Sequence, residues 1–159
     1  MPVSCTYTLN RKDTSPLICS GFGSVEAYSG HGKDTNNPDF VADVGVGAIP
    51  PGTYYIVDRS SGRWFGWVLD DFGAAIGTTD RRKWFMLWNP YTGDATMVHG
   101  VKRGLFRLHP DGPHHRSDGC ITIKNPADFE RLRSYLLATG ATMSVPGTDM
   151  KAYGRVDVR

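Results

Sequence analysis

One thiol in this chain has the neighbours that a nucleophile needs. Cys120 ends the run His109-Pro-Asp-Gly-Pro-His-His-Arg-Ser117-Asp118-Gly119-Cys120, directly ahead of the apolar stretch Ile121-Thr122-Ile123. A thiol attacks at neutral pH only when a base takes its proton or a positive charge lowers its pKa from about 8.5. His109, eleven residues upstream, is a base of the right type. Gly119 has no Cβ to obstruct a substrate, and it leaves the Gly119 and Cys120 N–H groups free to face a developing oxyanion. The same residues also allow a structural reading, because a cysteine beside a β-branched strand packs well as a small buried hydrophobe. All five histidines (His31, His99, His109, His114 and His115) precede Cys120. An early cysteine followed by a later histidine is therefore open only to Cys5 and Cys19.

The elements that must position this thiol are mostly β. Short stretches rich in Val, Ile, Thr, Tyr and Trp at 3–9, 24–28, 52–58, 84–89, 95–99, 106–109 and 120–123 are separated by Gly, Pro, Asn and Asp clusters, which predicts a sandwich or barrel-like sheet. One helix is well marked after the cysteine. Asn125 caps it, Pro126 suits its first position, Phe129, Leu132 and Leu136 recur on one face, and Gly140 closes it. That helix reads as packing, without a catalytic role. The polar stretch 29–39 is either a loop bordering the cleft or a plain solvated loop. Residues 147–159 read as a surface segment or frayed terminus.

Composition describes one domain with a single core across all 159 residues. Eighteen Lys+Arg against sixteen Asp+Glu give a net charge of +2. No basic run or basic-aromatic stripe points to nucleic acid. No stretch approaches a membrane span, and the start Met-Pro-Val-Ser-Cys-Thr-Tyr lacks the charged and apolar regions of a signal peptide. A cytoplasmic origin is expected. Three cysteines argue against a fully paired framework and suit a reducing compartment. Cys5 and Cys19 could pair after export, but in β-like segments they read first as buried free thiols.

Five segments together resemble a known family. Tyr28-Ser29-Gly30, Asn37-Pro38, Ile49-Pro50-Pro51-Gly52-Thr53-Tyr54, Arg103-Gly-Leu-Phe106-Arg-Leu108-His109 and Ser117-Asp118-Gly119-Cys120-Ile121 are similar to motifs of the YkuD-type L,D-transpeptidases, and most of all to the L,D-transpeptidase effectors secreted by type VI systems. Pro110 departs from the glycine that often follows the base histidine in that subgroup, and it stiffens the loop. Asp118 stands where many members of the wider family carry a second histidine. Segment 63–88 has no matching counterpart, so its substrate contacts are unassigned.

The resemblance implies a YkuD-like β-sandwich and an enzyme acting on peptidoglycan stem peptides. Cys120 would attack the bond between diaminopimelate and D-alanine, His109 would act as base, Ser117 would shape the turn, and Gly119 with Cys120 would hold the oxyanion. No metal or organic cofactor is required. Arg103 is a candidate cation for a substrate carboxylate, since guanidinium matches carboxylate bidentately. A structural salt bridge is the other reading of Arg103. His99, in Val98-His99-Gly100, resembles the Ile-His-Gly segment in which other YkuD-type enzymes carry their base, and is the alternative base. A chain of cytoplasmic origin acting on a periplasmic polymer implies delivery by a secretion carrier, a toxic action on the target bacterium, and an immunity protein in the producer. Two other readings remain: zinc held by His109, His114, His115 and Cys120, and a wall-binding β domain without activity.

Overall fold

A computed structural model describes residues 1–59 and 81–159; of the unassigned segment 63–88, the part before residue 81 lies outside the described residues. Eight strands form a closed barrel: β1 (Val3–Tyr7), β2 (Ser15–Cys19), β3 (Gly23–Tyr28), β4 (Gly52–Asp58), β5 (Phe85–Trp88), β8 (Arg107–Pro110), β9 (Ile121–Ile123) and β12 (Gly154–Val158). Around the barrel they run β1-β12-β4-β5-β8-β9-β3-β2, and β2 pairs back onto β1. Between them lie two small hairpins, β6 (Ala95–Val98) with β7 (Val101–Gly104), and β10 (Met143–Ser144) with β11 (Lys151–Ala152).

The mainly β expectation therefore stands, with a sheet that closes on itself instead of splitting into two layers. The closing pieces come from the two ends of the chain. β12 lies between β1, which it meets in parallel, and β4, which it meets antiparallel. This corrects the reading of 147–159 as a surface segment. Arg155, Asp157 and Arg159 mask the signal, but Val156 and Val158 alternate with them and are buried, as a half-buried strand requires. Among the described residues, closure also leaves no unpaired edge on the main sheet.

Cys5 and Cys19 face each other across β1 and β2 and form a disulfide. The expectation of buried free thiols is overturned here, because antiparallel pairing puts the two side chains on opposed positions of one face. Cys120 is the free cysteine.

The helix forms as its sequence predicts. α1 (Pro126–Thr139) starts where the Asn125 side chain accepts a hydrogen bond from the Ala127 N–H at 2.9 Å, and ends at Gly140, whose φ is 84°. Phe129, Leu132 and Leu136 are buried in one core with Leu108 of β8 and with Ile121 and Ile123 of β9. Each such side chain contributes roughly 1.5–3 kcal/mol on burial. The helix thus braces, from the core side, the two strands whose other face carries His109 and Thr122.

Stretch 29–39 is anchored, not merely solvated. Asn36 is fully buried; its side-chain carbonyl accepts from the Tyr7 hydroxyl and from the Ser29 N–H, and its amide donates to the Lys12 carbonyl. The Ser29 hydroxyl in turn accepts the Ile49 N–H at 2.8 Å.

Candidate active site

β8 and β9 run parallel, with Leu108 beside Ile121 and His109 beside Thr122. Because strand side chains alternate, the apolar residues go to the core while His109 and Thr122 share the opposite face. Arg107 and Cys120, each two residues earlier, belong to that same face. His109 is nearly inaccessible, stacked on the Trp84 ring at 4.3 Å between centroids.

The tautomer of His109 follows from its partners. The Pro110 carbonyl, 2.8 Å from Nδ1, can only accept, so Nδ1 carries the proton. Nε2 is left with a lone pair, 3.3 Å from the Thr122 hydroxyl. Burial pulls the imidazole pKa down to about 4, against smaller opposing effects from the Pro110 carbonyl and from Asp111 and Asp118. At neutral pH this is an uncharged base, as proton abstraction requires.

Cys120 is held by a short turn. The Ser117 hydroxyl donates to the Cys120 carbonyl at 2.7 Å, closing the turn. Gly119 has φ of 109°, a conformation that L side chains rarely adopt. A Cβ there would lie 2.5 Å from an Arg103 nitrogen and 2.9 Å from the Phe106 ring. Glycine is thus required by both backbone and space. The thiol itself faces the Leu105 carbonyl at 3.8 Å, and Leu105 has φ of 59°. Burial pushes the thiol pKa up to about 11, although the charge and backbone N–H of Arg107 work the other way. The Arg107 charge is largely answered by Asp94, which it grips bidentately at 2.6 and 2.9 Å. Cys120 and His109 are therefore both neutral in this state, with no direct hydrogen bond between them among the described residues. Any attack by this sulfur would have to coincide with transfer of its proton.

Arg103 occupies neither of the roles open to it in sequence. Its guanidinium is buried beneath the turn and donates to the carbonyls of Val41, Gly47, Ala48 and Asp118. A guanidinium with its terminal N–H groups so engaged positions the scaffold: it ties loop 41–48 to the residue before Gly119. His99 lies away from the buried face, exposed in the two-residue His99-Gly100 turn between β6 and β7, with φ of 49° and 78°. His114 and His115 are exposed as well. The four residues of the zinc reading are not gathered together, and among the described residues no group of three or more His, Cys, Asp or Glu is arranged to hold a metal.

Several contributors escaped the sequence reading. Thr122 was legible in principle as a polar residue between two core isoleucines. Trp84, the Arg107–Asp94 pair and His31, whose Nδ1 donates to the Ser117 carbonyl at 3.1 Å, left no local signal.

The fold and site define a mainly β barrel protein carrying a neutral histidine on β8 and a buried cysteine immediately before the adjacent β9. The chain belongs to the Tlde1 domain family, whose model matches residues 23–148; that membership points to a type VI secretion effector. It fits a secretion carrier and an immunity partner. Neither the curated proteins nor the solved structures include a match to the chain. Among the described residues, no helix is long and apolar enough to cross a membrane.

Proposed function

We propose that this protein is a cysteine-dependent, peptidoglycan-modifying enzyme of the YkuD type, delivered into the periplasm of a target bacterium as an antibacterial toxin. The observation that carries the reading is the placement of Cys120, at the end of a glycine turn, on the same face as a histidine whose unprotonated Nε2 is set by Pro110. Membership of an effector domain family supports it.

In this reading Nε2 of His109 takes the Cys120 proton as sulfur attacks the carbonyl joining meso-diaminopimelate to the terminal D-alanine of a tetrapeptide stem. Backbone N–H groups around Gly119 and Cys120 receive the charge growing on the carbonyl oxygen. His109 then returns the proton to the leaving amine, the C–N bond breaks, D-alanine departs, and a thioester remains on Cys120. Water resolves the thioester to a tripeptide and free thiol. The amine of a free D-amino acid resolves it to an exchanged tetrapeptide. Neither branch requires a metal or organic cofactor.

Incubation with purified muropeptides, read by product mass, tests the proposal. The expected products are tripeptides, with substituted tetrapeptides when a D-amino acid is supplied. Cys120→Ala should abolish turnover. His109→Ala should reduce it about 10²–10⁴-fold, and His99→Ala should do less. Full turnover by the Cys120 variant would sink the enzyme reading. Predominant 3-3 cross-linked dimers would make the protein a cross-linking transpeptidase, and harmless periplasmic expression of active enzyme would remove the toxin role.

A further inference from the structure

Beside the catalytic face lies a cavity of about 260 Å³ that the mechanism above leaves unused; its walls include Asp13, Tyr28, His31, Asp111, His115 and Lys124. It adjoins the site through two strands and one turn. Tyr28 of β3 pairs with Thr122, whose hydroxyl faces His109. His31 reaches the other way, donating to the carbonyl of Ser117 in the turn that holds Cys120.

The chemistry of the walls narrows what fits. Asp111 is already committed: one oxygen accepts the Tyr28 hydroxyl at 2.5 Å, the other faces Nδ1 of His115 at 2.5 Å, and its side chain is only 8% exposed. It fixes Tyr28 and His115 as walls. The open charges are of opposite sign, the Lys124 ammonium and the Asp13 carboxylate, and neither is engaged in an ion pair among the described residues. A simple anion would meet Asp13, and a simple cation would meet Lys124. A molecule carrying both charges on one carbon offers each of them a counter-charge. The volume falls below the ~300–1,000 Å³ of most small-molecule pockets, which suits one amino-acid-sized group.

We propose that this cavity binds the zwitterionic end of an α-amino acid, with its carboxylate toward Lys124 and its ammonium toward Asp13. Resting on the peptidoglycan reading, the inference leaves two sources with this chemistry. One is a free D-amino acid about to attack the thioester. The other is the distal ammonium and carboxylate of diaminopimelate in the stem being cleaved.

Calorimetric titration of the Cys120→Ala protein separates them without turnover. D-Methionine and a tripeptide muropeptide serve as probes, against the same protein carrying Lys124→Met or Asp13→Asn. Each added change should weaken binding about tenfold, the loss of one charge-assisted contact, and Lys124→Arg should recover most of it. Sensitivity with D-methionine assigns the cavity to the acceptor; sensitivity with the muropeptide alone assigns it to the stem. Both added positions are exposed, so loss of fold is not expected, and circular dichroism checks it. Unchanged affinity for both probes in these variants, or no binding of either probe, overturns the proposal. Failure of the unaltered protein to convert muropeptides would strike the enzyme reading instead, and is read in a separate assay.

Discussion

Acidification should destabilise this protein through His109, by an amount that follows from its burial. The unfolded chain takes up a proton at position 109 below about 6.5, while the folded chain keeps the imidazole neutral down to about 4. Between those values the unfolded state binds more protons, so stability falls as pH drops through the window. At about 1.4 kcal/mol per pH unit, the cost is small at pH 7 and roughly 2–3 kcal/mol at pH 4.5. For a chain of this size that corresponds to a melting temperature lower by about 5–10 °C. His109→Gln removes the titration and keeps an acceptor for the Thr122 hydroxyl. Urea unfolding of both proteins at pH 7 and pH 4.5 isolates the effect, because the carboxylates titrate in both. The variant should lose roughly 2–3 kcal/mol less than the unaltered protein. Equal losses would mean that the folded protein protonates His109 as readily as water does. The uncharged, desolvated base of the proposed mechanism would then be wrong.

Gly119→Ala should cost roughly 1–3 kcal/mol from overpacking against Arg103 and Phe106, with about 1–2 kcal/mol more from its left-handed backbone; thermal melting checks this, and an unchanged midpoint would contradict the turn geometry. Reduction of Cys5–Cys19, which spans a sequence separation of 14, should remove about 3 kcal/mol of stability. Thiol titration of the unreduced, denatured protein should count one thiol, and a count of three would refute the bridge.

The parts of this protein that its sequence determined are those whose causes lie within a few residues. Asn125, Pro126 and Gly140 bound α1 because caps act on the nearest turn, whereas Gly119, read in sequence for its missing Cβ, owes its positive φ to the folded turn. His109 and Cys120 were singled out by residue type and spacing. Tertiary structure decided the rest. Val3 meets Gly154 across the whole chain, so no local pattern distinguishes a barrel-closing β12 from a polar tail. The same holds for the Cys5–Cys19 bridge, which depends on the register of β1 against β2, and for Arg103, which turned from a candidate ligand into a brace once four carbonyls converged on it. Burial is a property of the assembled barrel, and burial shifts both thiol and imidazole further toward their neutral forms. The sequence could name the thiol and the imidazole, but only the fold could set their protons.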